Sequence, residues 1–313
     1  MKPIHIVLIV IASLLLISIL TYLFLIYRLF RKTLMRPIPR KRPSKHKNDE
    51  PNPYQELIDS RMKEYNTYDK EDVSIISFDG LKLNAHLIKN KDAKHIVILA
   101  HGYHSNSINE FIYSYNYYSL GYSLLLIDQR SHGTSEGKYI GMGVLERKDI
   151  LDWIKFIKNR CGEDISILLT GVSMGSATVM MTSELIKDNS VKGIVADCGY
   201  TSITDEFLHV TNIPGKRFHI KVMNLMNRLF AKYDFNDATS INSLRNSQIP
   251  ILIVHGSKDD FVPTKFAYEL YEASSSKIKE LFIVEGAKHA EAYRVDKEGY
   301  DKHVRDFLNK INF

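Results

Sequence analysis

The chain opens with a long apolar segment that differs from everything after it. Residues 4–27 contain one His and no formally charged side chain. At about 1.5 Å per residue, roughly 24 helical residues extend about 36 Å, enough to cross a membrane. The segment is apolar on every face and runs into Tyr27 and Arg28 without a small-residue cleavage site, which argues against a core helix and a signal peptide. The pattern therefore predicts a transmembrane anchor over residues 1–28.

From residue 54 onward, short aliphatic runs alternate with helical patterns. Two runs flank the turn pair Asp79-Gly80 and predict an antiparallel hairpin of Val73–Asp79 and Leu81–Ile88. Further runs have the length and content of buried parallel strands: His95–Ala100, Ser123–Asp128, Ile165–Thr170, Lys192–Asp197, Ile249–His255 and Lys279–Val284. Helical patterns lie near Tyr54–Tyr65, Asn109–Ser119, Val144–Asn159, Met174–Lys187, Thr264–Ser274 and Asp296–Lys310. This alternation predicts an α/β fold with a mainly parallel, doubly wound sheet.

One connection breaks the alternation of strands and helices. The stretch from Gly199 to Ser247 is too long for a simple crossover and contains a helical pattern near Ile220–Lys232. We interpret it as a small helical cap, inserted at about 200–247 into a domain that spans residues 54–313.

Composition and charge limit the partners of this domain. With 44% hydrophobic and 25% charged residues, the 313-residue chain can bury a large core. The formal net charge is +6, but the basic residues that follow the apolar segment account for all of it: Arg28, Arg31, Lys32, Arg36, Arg40, Lys41, Arg42, Lys45 and Lys47. We therefore predict a basic, Pro-rich tether over residues 29–53, and no nucleic-acid-binding surface on the main domain.

The same charges predict an orientation in the membrane. Lys2 alone precedes the apolar segment, and the basic run follows it. By the positive-inside rule, the main domain of this single-pass protein is expected in the cytoplasm. The two cysteines, Cys161 and Cys198, are too few for a disulfide framework and form no metal-binding motif.

The strongest local motif is Gly171-Val172-Ser173-Met174-Gly175, which lies between an apolar run and a helical pattern. A serine hydroxyl is a weak nucleophile, and a sharp strand-to-helix turn presents it to a base while glycines relieve crowding. Gly-x-Ser-x-Gly alone is a common turn string. Its position between a strand and a helix predicts that Ser173 is a catalytic nucleophile.

A serine nucleophile requires an acid and a histidine, each just beyond a strand. Asp259 lies in the loop after the strand that ends at His255, and His289 follows the last predicted strand. We assign Asp259 as the acid and His289 as the base. Asp260 is the rival acid, and its alternative role is to cap the next helix. His101 and His255 precede glycines, a context that favours turns over catalysis.

Two other segments follow strands. In His101-Gly102-Tyr103, the glycine allows a turn after which the Tyr103 N–H, together with that of Met174, could stabilise an oxyanion. The polar segment 128–137 is interpreted as a loop that supports the nucleophile turn. Cys198 is interpreted as a small buried thiol.

The motifs of this chain occur in a fixed order: HGYHSN, DQRSHGTSEG, GVSMG, DCGYTS, HGSKDDFVP and GAKHAEAY. In that order they resemble the bacterial membrane-anchored serine hydrolases of the α/β-hydrolase superfamily, from about residue 73 to the end. The resemblance implies the α/β-hydrolase fold, no cofactor, the triad Ser173, Asp259 and His289, and the oxyanion donors Tyr103 and Met174. Lys288 and Ala290 flank His289 where such proteins commonly have Gly-His-Gly or Gly-His-Ser.

These observations predict acyl transfer on a small-molecule substrate. We expect an ester or thioester to be cleaved through an acyl-enzyme intermediate, with the protein held at the membrane by its N-terminal helix. A peptidase or perhydrolase of the same fold is an alternative, because a fold leaves the chemistry open. A non-catalytic membrane-tethered scaffold is the alternative from a different class.

Overall fold

A computed structural model describes residues 2–36, 54–91, 94–113, 115 and 117–313. The proline-rich part of the predicted tether, residues 37–53, lies outside the described residues. The description therefore covers the N-terminal helix and nearly all of the main domain.

The main domain is built on one eight-stranded sheet. Its strands are β1 Lys70–Ile76, β2 Lys82–Ile88, β3 His95–Ala100, β4 Ser123–Ile127, β5 Ser166–Val172, β6 Val191–Asp197, β7 Ile251–Gly256 and β8 Lys279–Val284. Their order across the sheet is β1-β2-β4-β3-β5-β6-β7-β8. Strands β3 to β8 are parallel, whereas β2 pairs antiparallel with both β1 and β4. The predicted, mainly parallel α/β sheet is confirmed.

The β1–β2 hairpin turns over more residues than the sequence predicts. The Ser77 N–H donates to the Leu81 carbonyl over 2.8 Å, and Gly80 has a φ of 88°. Since a positive φ favours glycine, the Asp79-Gly80 pair does lie in the turn as predicted. The turn begins at Ser77, which ends β1 earlier than expected.

Helices cover both faces of the sheet. In the described residues they are α1 Pro3–Leu34, α2 Gln55–Thr67, α3 Ser107–Tyr113, α4 Glu146–Cys161, α5 Met174–Thr182, α6 Ile203–Val210, α7 Lys216–Phe230, α8 Ser240–Arg245, α9 Lys265–Ala273, α10 Ala292–Val295 and α11 Lys297–Lys310. On β3, Ile96 and Ile98 face the core with α4, α5, α8 and α9, while Val97 and Leu99 face α2, α3, α10 and α11. Burial on both faces explains why β3 is continuously aliphatic.

The predicted cap region contains three helices where the sequence indicates one. Leu244 of α8 packs into the core with α5 and α9. Helices α6 and α7 instead form a separate apolar cluster with the end of α1. We use "cap" below for α6, α7 and the residues between them.

Helix α1 continues beyond the predicted boundary at residue 28. Most of its apolar side chains are exposed, but Ile26, Phe30 and Leu34 are buried against the cap. Met35 also forms an isolated antiparallel bridge with Tyr139. The helix continues because its last turns are packed into the domain, so residues 29–34, the first part of the predicted tether, are helical.

Candidate active site

Ser173 lies at the turn between β5 and α5 in a rare backbone conformation. Its φ of 55° and ψ of −115° are unusual for a residue with a side chain. The flanking glycines are sterically required: a Cβ at Gly171 would lie 2.4 Å from the Gly175 carbonyl carbon, and one at Gly175 would lie 1.9 Å from the Ala100 oxygen. The motif thus allows β3, β5 and α5 to approach closely around the serine.

His289 connects Ser173 with Asp259. Its Nε2 lies 3.0 Å from Ser173 Oγ, and its Nδ1 lies 2.8 Å from Asp259 Oδ2. The three residues follow β5, β7 and β8, whose carboxyl ends share one edge of the sheet. The imidazole is 23% exposed and the carboxylate is fully buried. The structure therefore brings the three predicted residues together, with the Asp259 carboxylate fully buried, Ser173 8% exposed and the imidazole between them partly exposed.

The Asp259 carboxylate is held in its ionised form. The N–H groups of Phe261 and Val262 donate to Oδ1 over 3.1 and 2.9 Å, and His255 Nε2 lies 3.3 Å from Oδ2. Burial by itself raises the pKa of Asp259, but the hydrogen bonds from His255, His289 and the Val262 N–H lower this pKa to about 2. An anion at this position favours the histidine tautomer that accepts a proton from the serine.

The structure distinguishes Asp259 from its rival. Asp260 is exposed, and its carbonyl oxygen accepts a hydrogen bond from His209 Nε2 over 2.7 Å. The interpretation of His255 as a turn residue is wrong, because β7 continues to Gly256 and buries the imidazole beside Asp259.

The predicted oxyanion donors flank the nucleophile. A Cβ at Gly102 would lie 3.6 Å from Ser173 Cβ, so the loop after β3 passes beside the serine. Tyr103 follows this glycine, and Met174 is the first residue of α5. The first N–H groups of a helix have no partner within it and are suited to bind negative charge. The backbones of Tyr103 and Met174 remain the candidate donors.

The Tyr103 side chain makes a contact that local sequence does not indicate. Its hydroxyl donates to the Thr33 carbonyl of α1 over 2.8 Å. Burial raises the pKa of Tyr103 to about 12, so the hydroxyl stays protonated and able to donate. The candidate oxyanion loop is thereby attached to the end of the N-terminal helix.

The polar loop after β4, residues 128–137, is predicted to have a structural role, and its side chains make hydrogen bonds of that kind. Asp128 accepts hydrogen bonds from the N–H groups of Ser107 and Thr134, over 2.9 and 2.8 Å. Arg130 forms a buried, bidentate pair with Asp149, both distances being 2.7 Å. These bonds fix the loop beside the segment that follows β3.

Cys198, Asp259 and His289 offer three ligand atoms within 4.8 Å of one another. Burial, followed by the Asp197 and Asp259 charges, raises the pKa of the Cys198 thiol well above its usual range. His289 Nδ1 is hydrogen-bonded to the Asp259 carboxylate. Cys198 is thus a small buried thiol beside the Asp259–His289 pair.

Glu206 of α6 is a buried acid that sequence reasoning missed. Burial, followed by the Asp259 charge, raises the pKa of Glu206 to about 8. Its Oε2 has no hydrogen-bond partner among the described residues. The pattern did not predict α6, but Ser202 caps this helix by accepting from the Asp205 N–H, so the Ser-x-x-Asp spacing was an available signal.

The chain is similar to proteins from bacteria, yeast and archaea. It is 24% identical over 237 residues to the uncharacterised protein YqkD of Bacillus subtilis, covering 74% of this chain and 77% of YqkD. It is also 24% identical to the uncharacterised membrane protein YNL320W of Saccharomyces cerevisiae, covering 78% and 81%. The structure of the Pyrococcus furiosus esterase Pf2001 aligns with a TM-score of 0.62 at 22% identity, covering 88% of this chain and 99% of the esterase. At this identity the esterase shows a shared fold.

A family model described as serine aminopeptidase, S33, matches residues 91–248. The matched segment is half of the chain and contains Ser173, while Asp259 and His289 lie beyond it. Together with the sheet topology and the esterase-like fold, this match shows that the chain belongs to the S33 serine aminopeptidase family and is a hydrolase of the α/β-hydrolase fold.

Proposed function

We propose that this chain is a serine hydrolase that cleaves an ester or thioester of a small-molecule acyl substrate. The proposal rests on one observation, the hydrogen-bonded line from Asp259 through His289 to Ser173. Such a line activates a hydroxyl for attack on a carbonyl carbon.

Each proton in the reaction has a defined donor and acceptor. His289 Nε2 takes the proton of Ser173 as Oγ attacks the carbonyl, and it then gives this proton to the departing alcohol or thiol. Water next attacks the acyl-enzyme and transfers a proton to His289, which returns it to Ser173 as the acid leaves. The N–H groups of Tyr103 and Met174 are the proposed oxyanion donors, each contributing about 3 to 4 kcal/mol to the transition state.

A fluorophosphonate probe tests the nucleophile. The probe should label the wild type and should not label Ser173→Ala. Ser176→Ala is the matched control, because Ser176 is a fully buried serine on α5, three residues after Ser173, and its loss should leave labelling intact. Persistent labelling of Ser173→Ala would contradict the assignment. A well-folded wild type that resists the probe would favour the non-catalytic scaffold.

The family description makes peptide-bond cleavage the second candidate. A p-nitrophenyl ester and a p-nitroanilide with the same aminoacyl group differ only in the bond that is broken. Because the ester is the more reactive compound for either class of enzyme, the anilide decides: we expect no measurable turnover of the anilide, and anilide turnover with a kcat/KM approaching that of the ester would favour the peptidase. A series of p-nitrophenyl esters with increasing acyl length then defines the acyl preference.

We also propose that α1 anchors the protein in a membrane, with the α/β domain on the cytoplasmic side. Helix α1 is long and apolar enough to cross a membrane, and its N-terminal two thirds are exposed. Lys2 is the only Lys or Arg before the span, and basic residues follow it closely.

A further inference from the structure

Helices α1 and α7 run side by side in the same direction. The Tyr22 ring stacks on Phe218 near the beginning of α7, with ring centroids 6.2 Å apart, and the Tyr22 hydroxyl lies 2.9 Å from His219 Nδ1. Near the end of α7, the Phe230 ring lies 6.0 Å from that of Phe30. The beginning of α7 therefore points towards the apolar, N-terminal part of α1.

The position of this contact on α1 matches the thickness of a bilayer. About 20 residues separate the start of α1 at Pro3 from Tyr22, and they span roughly 30 Å, the thickness of the hydrocarbon core. If α1 crosses a membrane, Tyr22 lies near the surface on the side of the domain. Phe218, stacked on Tyr22, must then lie at the same surface.

The end of the cap nearest this surface is apolar and exposed. Val210, Ile213 and Phe218 are 45%, 45% and 61% exposed. We call residues 210–218 the cap tip. Single exposed apolar residues are ordinary on soluble proteins, but these three lie within nine residues of one another in the chain. Phe218 joins this segment to α1 through its stack on Tyr22.

The charge around the cap tip suits a lipid surface. The chain has no Asp or Glu between Glu206 and Asp234, and this interval contains Lys216, Arg217, Lys221, Arg228 and Lys232. Exposed apolar groups flanked by basic residues are typical of segments that bind at the interface of anionic lipids. Arg217 and Lys221 also line a cleft of about 290 Å³ with the apolar Leu208, Ile220 and Phe235.

The cap tip lies close to the candidate active site. His209, directly before it, donates from Nε2 to the carbonyl of Asp260, the neighbour of the triad acid, over 2.7 Å. The Phe261 ring is 49% exposed and lies 4.9 Å from the His289 ring. The cap tip is thus linked through His209 to the loop that holds Asp260 and Phe261, which lies beside the exposed side of the triad.

We infer that the cap tip docks on the bilayer surface, and that the site takes its substrate from the membrane as an ester or thioester of a long-chain acyl amphiphile. The substrate part of this inference rests on the proposed hydrolase function. The docking part rests only on α1, α7 and the cap tip.

Lipid quenching tests docking independently of catalysis. The full chain is reconstituted in equimolar phosphatidylcholine–phosphatidylglycerol vesicles with nitroxide-labelled lipid, and an NBD fluorophore is attached to Ile213→Cys, Phe218→Cys or Leu229→Cys in a Cys161→Ser background. Leu229 is an exposed position on the same helix, roughly 16 Å farther along it. We expect severalfold stronger quenching at 213 and 218 than at 229. Wild type labelled at Cys161, at the opposite sheet edge, should not be quenched.

Two esters test the source of the substrate. In the same vesicles, the double variant Ile213→Glu/Phe218→Glu should hydrolyse water-soluble p-nitrophenyl acetate at the wild-type rate. Its turnover of vesicle-embedded p-nitrophenyl palmitate should fall about tenfold, because charged side chains oppose insertion at the interface. Leu229→Glu is the matched control and should leave both rates unchanged.

The outcomes separate this inference from the proposed function. Quenching at 218 no stronger than at 229 overturns the docking surface, even if Ser173 reacts with the probe. Unchanged palmitate turnover in the double variant overturns the membrane source of the substrate. If the labelled variants are quenched as expected but the wild type hydrolyses neither ester, the hydrolase proposal and the substrate are overturned, while the docking surface is supported.

Discussion

Asp259 and Asp260 are adjacent carboxylates with different surroundings, and they give a matched test of the relay. Asn at 259 removes the buried charge that orients His289, so we expect kcat to fall about 10³- to 10⁴-fold, as is usual for loss of a triad acid. Asp260 is exposed, and its backbone carbonyl accepts a hydrogen bond from His209. Asp260→Asn should therefore change kcat by less than about threefold. The measurement is p-nitrophenyl ester hydrolysis by both variants, with circular dichroism to verify folding.

The reverse ranking would reassign the acid. If Asp260→Asn were the impaired variant, the loop after β7 would have to rearrange to turn Asp260 towards the imidazole. Equal, small effects would instead indicate that the carboxylate contributes little and that the triad is incomplete as a catalytic unit.

Glu206 makes the stability of the fold depend on pH. Burial raises its pKa to about 8 in the folded protein, whereas an unfolded Glu titrates near about 4.3. Between these values the unfolded chain loses the proton first, so the free energy of unfolding falls as pH rises. Glu206→Gln removes this loss. We expect the variant to match the wild type near pH 4.3 and to be more stable above pH 8, by at most about 5 kcal/mol.

Urea unfolding at a series of pH values measures this difference. Glu285→Gln is the control at an exposed carboxylate. A Glu206→Gln variant that lost stability at high pH would mean that the carboxylate is ionised in the folded state and has a partner there.

At the scale of elements, the strands that are buried on both faces of the sheet are the ones that the sequence predicts best. Strand β3 is identified to the residue because both of its faces pack against helices, which leaves a purely aliphatic run. The cap is harder to predict. Helix α6 has eight residues and packs on α1 and α7, so its pattern reflects contacts that are distant in the chain. The Tyr103–Thr33 hydrogen bond could not be predicted either, because it too joins residues that are distant in the chain.

The end of α1 should stabilise the domain, and two phenylalanines on this helix test it. Phe30 is fully buried and packs against Tyr139 and Phe230, whereas Phe24 is 58% exposed. We expect Phe30→Ala to reduce the free energy of unfolding by about 3 kcal/mol, as for other buried aromatic residues. Phe24→Ala should have little effect. Thermal unfolding in detergent micelles compares the two, and equal melting temperatures would show that α1 merely tethers the domain.

At the scale of the whole molecule, the candidate site is an assembly of distant segments. Ser173, Asp259 and His289 could be predicted because each follows a strand, and parallel strands end at a common edge. The supporting contacts could not be predicted in this way. His255 lies near the end of β7, and its imidazole contacts Asp259 in the loop that follows this strand. The candidate oxyanion loop contacts α1 through the Tyr103–Thr33 hydrogen bond, between residues that are distant in the chain. The local sequence pattern thus identifies the candidate catalytic residues, whereas the contacts that position them depend on tertiary packing.

The orientation of the molecule can be measured with a native thiol. Cys161 is exposed and Cys198 is buried, so a membrane-impermeant maleimide should react at one position only. Since the basic residues follow the span, we expect no labelling in intact cells and full labelling in inverted vesicles. Cys161→Ser should abolish the labelling of inverted vesicles. Labelling of intact cells would place the domain outside and contradict the charge argument. It would leave the cap tip beside the bilayer, because that position follows from the packing of α7 on α1 and not from the side of the membrane on which the domain lies.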